Sequence, residues 1–231
     1  MTTPTSYWLR PGRVAFALSL IAGVLVLVHV ASMQVIFNDE LGVRDRLGLE
    51  YWHLSIFDLD EEESFGTWFS SVMLLLAGVL PLVHARALRD RADRWFAWWL
   101  ILGIGFITLS IDEVVGLHEL MNTLMEDTPW TVVGFAIFAV VGVSYLPFLW
   151  RYRWHTAGLF FLAGAVYGGG AVGVEHWTGA DVNSLHYNMW TTLEEGMEMA
   201  GVILFVYALL DHMSRGQDTV VRLAVSGEDP G

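Results

Sequence analysis

The chain has 231 residues, 55% of them hydrophobic and 16% charged, with a mean hydropathy of +0.50; an ordinary soluble domain carries roughly 25% charge, so this composition excludes a water-soluble fold and points to a polytopic membrane protein. Cysteine and lysine are both absent, which rules out disulfides, thiolate metal ligands and covalently attached haem, and removes any Schiff-base lysine for a retinal-type chromophore. The net charge of −13, from 12 basic and 25 acidic residues, repels nucleic acid and attracts cations.

Residues 1–13 read as a short cytoplasmic tail. Apolar stretches near the roughly 20 residues that cross a bilayer follow at 14–37, 66–85, 95–117, 130–150, 157–176 and 190–211. They predict an all-α bundle of six transmembrane helices over 14–212, followed by a disordered cytoplasmic tail over 213–231. The first stretch follows Arg10 and Arg13 as a secretory signal would, but it outruns the roughly 7–15 residues of a signal core, and VHVASM is a poor cleavage site. It is read as a retained helix. Glycine- and alanine-rich, lysine-free usage fits a GC-rich bacterial genome, hence a bacterial inner membrane.

Arginine sets the expected orientation. Arg10 and Arg13 precede the first helix, Arg86, Arg89, Arg91 and Arg94 lie between the second and third, Arg151 and Arg153 between the fourth and fifth, and Arg215 and Arg222 follow the sixth, so ten of twelve arginines share one side. By the positive-inside rule both termini are cytoplasmic. The outer loop 38–65 holds nine acids, most of them expected simply to be solvated. Its Leu41, Leu47, Leu49, Trp52 and Ile56 predict an amphipathic segment on the outer surface, able to act as a lid to which His53 and Asp58 or Asp60 contribute.

Three predicted helices carry acids where lipid should forbid them. The third ends in LSIDEVVGLHEL, with Asp112, Glu113, His118 and Glu119; the fifth ends in VEHW, with Glu175 and His176; the sixth contains TTLEEGMEMAG, with Glu194, Glu195 and Glu198. At 1.5 Å per residue, Asp112 lies about 10 Å below the outer end of its helix, and Glu198 about 12 Å below Trp190. As one continuous helix the third would aim Asp112 and Glu119 along a single stripe, at about 20° to each other. An unpaired charge at mid-membrane costs roughly 2.5–3.5 kcal/mol. Without lysine or a nearby arginine, the compensation must be protonation, a hydrated cavity or a bound cation. Carboxylates with imidazoles suit a divalent transition metal such as zinc or iron, with Asp112, Glu113, His118, Glu119, Glu175, His176 and Glu198 as candidate ligands and Glu195 or Glu194 as catalytic base.

Plainer roles compete with that reading. Thr191-x-x-Glu194 and Thr192-x-x-Glu195 both fit a capping box at a helix start, Glu198 could be a protonated acid bonded to a neighbouring helix, and the two histidines could simply sit at headgroup level. His29, His84, His155 and His212 are read as structural. Neither HExxH nor a Glu-x-x-His of di-iron bundles is present. Gly164-x-x-x-Gly168 and Gly169-x-x-x-Gly173 predict close helix packing. Ser70 or Ser71 is a candidate nucleophile, although mid-helix serines usually bond their own backbone.

The blocks FDLDEEESFGTWFSS, LSIDEVVGLHE and TLEEGMEMAG, within residues 56–212, resemble those of a family of uncharacterised bacterial multi-pass membrane proteins. That resemblance implies no activity or cofactor. The chain is also superficially similar to membrane ceramidase-like hydrolases, which use histidines, an aspartate and a serine around zinc, but it has six predicted helices rather than seven and lacks a His-x-x-x-His on the last. Three functions fit the sequence: a metalloenzyme acting on a lipid or quinone-like molecule, a proton- or cation-coupled transporter or channel, and an accessory subunit of a membrane complex.

Overall fold

The computed structural model describes residues 10–125, 129–177 and 184–215, without the side chains of Glu119 and Asn122. Of the expected tails over 1–13 and 213–231, residues 1–9 and 216–231 lie outside the described residues, and 11–13 and 213–215 are helical. Among the described residues the chain is helical without strands: α1 (Pro11–Phe37), α2 (Val43–Leu47), α3 (Tyr51–Ser55), α4 (Phe65–Asp90), α5 (Phe96–Val115), α6 (Leu117–Leu124), α7 (Trp130–Leu149), α8 (Trp154–Gly168), a π-helical segment (Gly169–Val174), α9 (Glu175–Trp177) and α10 (Leu185–Arg215).

Among the described residues five helices are long and apolar enough to cross a membrane: α1, α4, α5, α7 and the run Trp154–Trp177. This corrects the expected count of six. The exception, α10, has 31 residues and so extends about 46 Å at 1.5 Å per residue, but Glu194, Glu195, Glu198, Asp211 and Arg215 interrupt its apolar surface. Its place explains that composition. Val202, Phe205, Val206 and Leu209 are buried, and the helix packs against α8, α1 and α4. By contrast α1 exposes Phe16, Leu20, Val24 and Leu27, as a helix wetted by lipid should.

Glycine sets the closest approaches. A Cβ on Gly103 would lie 2.8 Å from the Gly78 carbonyl oxygen, so α4 and α5 touch backbone to backbone there. Ser71 Oγ donates to the Ser110 carbonyl at 2.9 Å, and Ser110 Oγ donates to the Ser71 carbonyl at 2.8 Å. This reciprocal pair locks the same two helices and occupies one of the two candidate nucleophiles. Across the bundle, a Cβ on Gly201 would sit 2.6 Å from the Tyr167 nitrogen, and one on Gly170 2.7 Å from the Glu194 carbonyl oxygen. Close packing is therefore centred on Gly170 and Gly201. Gly164, expected to share in it, would meet nothing within 4 Å.

The third predicted helix is broken. Gly116 adopts φ 61°, ending α5 with its N–H bonded to the Asp112 carbonyl, and α6 restarts from it. This left-handed conformation favours glycine. The break removes the continuous stripe on which Asp112 and Glu119 were expected to align, and the Glu119 side chain lies outside the described residues.

The bundle has two chemically different ends. At one, Arg151 pairs with Asp93 at 2.9 Å, Arg215 with Asp211 at 2.8 Å and Arg86 with Asp90 at 3.5 Å; Trp98, Trp99, Tyr145, Phe148, Tyr152 and His212 stack there. At the other lie α2, α3 and the loop that follows them. His29 of α1, wholly buried, accepts from the Leu59 N–H at 3.1 Å and lies 3.4 Å from both Asp58 Oδ1 and the Asn188 carbonyl. It ties the loop to α1 and α10.

Candidate functional site

A cavity of about 1160 Å³ opens between α5, α7, α8 and α10. It exceeds the roughly 300–1,000 Å³ of ordinary ligand pockets. Its polar end is lined by Asp112, Glu113 and His118 from the α5–α6 break, Glu175 from α9, Glu194, Glu195 and Glu198 from α10, and Asp60 and Glu62 from the loop. Glu113 of α5 and Glu195 and Glu198 of α10 line that end together. Among the described residues no arginine lines the cavity, and His118 is its one basic side chain.

Each acid reaches this end for a local reason. The Gly116 break lets Asp112 fold back over the start of α6, accepting the His118 N–H on Oδ1 at 3.1 Å and placing Oδ2 3.1 Å from His118 Nδ1. Trp130 Nε1 donates to Glu175 Oε2 at 3.0 Å, joining α7 to α9. The π-helical segment adds a residue to the turn before Glu175; such bulges recur at functional sites. Because α10 begins at Leu185, Glu194 and Glu195 lie more than two turns into it. The capping box at Thr191 and Thr192 is therefore excluded. Tyr187 of α10 donates from its hydroxyl to Asp60 at 3.1 Å, closing the loop over the polar end.

The predicted set divides. Asp112, Glu113, His118, Glu175, Glu194, Glu195 and Glu198 share the cavity. His176 does not: its Nδ1 lies 3.1 Å from Thr131 Oγ1 and its ring meets Trp177 edge-on. Of the loop residues, Asp60 lines the site, whereas Asp58 is buried beside His29, and His53 Nδ1 accepts the Glu50 N–H at 2.9 Å. Burial pushes the Asp58 carboxyl above its ordinary range. Ser70 is buried, and its hydroxyl has no hydrogen-bond partner among the described residues. Among the described residues no three His, Asp or Glu side chains form a group that could hold a metal ion.

Below the acids the walls are apolar. Leu102, Phe106, Ile137, Phe138, Val172 and Phe205 line a shaft that ends at Tyr145, Phe148 and Phe160. Tyr145 donates to the Trp98 carbonyl at 2.9 Å, and its ring meets that of Trp98 at 5.1 Å, so α5 and α7 are stitched together at the floor. At the top His118 and Trp130 approach to 5.8 Å. Between those points α7 packs on the π-helical segment and α8 rather than along α5.

Sequence reasoning missed Tyr167, Tyr187, Trp130, Glu62 and the shaft. Tyrosine at mid-helix beside a glutamate-bearing neighbour is a weak signal. The shaft has a clearer one, in Gly105 and Gly142, which line the cavity although a Cβ on either would meet nothing within 4 Å.

Comparison with curated proteins and with solved structures gave no match. The sequence profile of the family described as a domain of unknown function, DUF8692, matches residues 17–213, nearly the whole of the helical bundle, and the chain belongs to that family.

Proposed function

We propose that this chain is a multi-pass bacterial inner-membrane enzyme that holds an apolar, lipid- or quinone-like molecule end-on in the cavity and exchanges protons with its polar end. The observation that carries this reading is a cavity with two chemistries: seven ionisable side chains from four helices at one end, and a shaft of aliphatic and aromatic walls leading away from them. Proton transfer by positioned carboxylates contributes typically 10²–10⁴-fold to rate, with Glu195 and Glu194 as bases and Glu113 and Glu198 as their partners. Asp112 and His118 then act as one unit that fixes the break in the helix.

In this reading α10 crosses the bilayer as a central helix sheathed by α1, α4 and α8, which raises the number of crossings to six and places both termini in the cytoplasm. Support comes from the clustering of Arg151, Arg215 and Arg86 at one end of the bundle, as the positive-inside rule requires. The acidic end then lies at the outer leaflet. A zinc or iron centre lacks comparable support, because the described carboxylates and imidazoles do not group around one point. A cation pathway is disfavoured by the aromatic floor at Tyr145, Phe148 and Phe160.

The test is turnover. Purified protein in nanodiscs is incubated with total bacterial lipid extract, and the extract is compared by mass spectrometry with one treated with Glu195→Gln. Depletion of one apolar species by wild type alone, with a matching product, supports the proposal; identical extracts would overturn it.

A further inference from the structure

The reading above leaves open what the polar end of the bound molecule is. We propose that the cavity selects a long-chain amphiphile with a cationic, amine-type head; this rests on the assignment of the cavity as the substrate site.

Charge is the first reason. The lining carries an excess of carboxylates over one histidine and no arginine among the described residues, and Asp112 already faces that histidine. A phosphate or sulfate head would find carboxyls and no basic partner but that histidine, whereas an ammonium would favour the charged form of Glu113, Glu195 and Glu198 and pair with it.

Aromatic and hydroxyl groups agree with charge. Trp130, Tyr167 and Tyr187 line the same end, and carboxylates interleaved with aromatic rings are the usual way to hold an ammonium.

The shaft sets the tail. Gly105, Gly142 and Gly164 line it, and a Cβ on any of the three would meet nothing within 4 Å. Helix-interior glycines usually permit close backbone contact, and these permit none, so what they keep open is the shaft. From Glu113 to Leu102 on α5 is about 17 Å at 1.5 Å per residue, close to the extended length of a long alkyl chain.

The probes are alkyltrimethylammonium ions and alkyl sulfates of 8 and 16 carbons at sub-micellar concentration, with binding to the full-length protein read by native mass spectrometry. The 16-carbon cation should bind at least tenfold more tightly than the 16-carbon sulfate, and the Glu113→Gln/Glu198→Gln variant should cut that preference below threefold. Gly105→Leu with Gly142→Leu should weaken the 16-carbon cation at least tenfold and leave the 8-carbon cation within twofold; should that pair fail to fold, Gly142→Leu alone should weaken the longer probe at least threefold. Equal binding of the two heads, or undiminished binding of the long chain to the glycine variants, would overturn the inference. A cationic preference without lipid turnover upholds the ligand class and sinks the enzyme reading; turnover of an anionic lipid does the reverse.

Discussion

The two ends of this bundle treat their ionisable groups in opposite ways. At the arginine end, Asp93, Asp211 and Asp90 each face an arginine within 3.5 Å, and stacked aromatics fill the space between the helices. At the acidic end, α5, α9 and α10 bring carboxylates to one cavity that no arginine lines among the described residues. Paired groups at the first end hold the fold together. Buried acids gathered at the second work against it, and proteins retain such arrangements where function requires them.

That contrast can be broken at its foundation. Gly201→Leu drives a side chain into the Tyr167 backbone, separates α10 from α8 and disassembles the cavity; a cost of about 3 kcal/mol is expected for overpacking this severe, visible as loss of a monodisperse folded species in detergent. Next in size is a pair of substitutions that should have opposite signs. Asp211→Asn removes the partner of the exposed Arg215 and of His155 and should cost about 1 kcal/mol, whereas Glu198→Gln removes a buried acid and should gain about 1 kcal/mol, or about 2–4 °C in melting temperature for a chain of this size. Melting temperatures that fall together would erase the distinction between the ends.

Two smaller effects sharpen it. Asp39 accepts the backbone N–H groups of Arg44 and Val43 at 2.9 and 2.7 Å; the bond from Arg44 does most to hold its carboxyl below the ordinary range. A depressed carboxyl contributes stability that is fully present above about pH 4, its unfolded value, and lost as pH falls through the folded one. Hydrogen exchange at Val43 and Arg44, corrected for intrinsic rates, should therefore quicken in acid for wild type and be pH-independent in Asp39→Asn. Least of all, Arg151→Ala breaks a half-exposed pair and should change stability by at most about 1 kcal/mol.

Much of this was legible in the sequence for simple reasons. Hydrophobic length located α1, α4, α5, α7 and α8, and the improbability of lone charges in lipid singled out Glu113, Glu194, Glu195 and Glu198. What resisted reading was backbone geometry. A left-handed Gly116 turns a straight stripe into a clasp between Asp112 and His118, and nothing in GLH distinguishes that glycine from one that continues a helix. His176 was grouped with Glu175 by proximity in sequence, but adjacent residues on a helix face about 100° apart, and Thr131 meets the histidine instead. The start of α10 at Leu185 was hidden because its first turns are polar. Their polarity belongs to the end of the bundle where Tyr187 meets Asp60.

The most direct measurement is an experimental density map of the protein in nanodiscs. The account predicts elongated density running from the carboxyls of Glu113, Glu195 and Glu198 to Phe148, with Gly105 and Gly142 alongside it. A map in which α7 closes onto α5 and leaves no space, or in which those three carboxyls face separate surroundings, would contradict it.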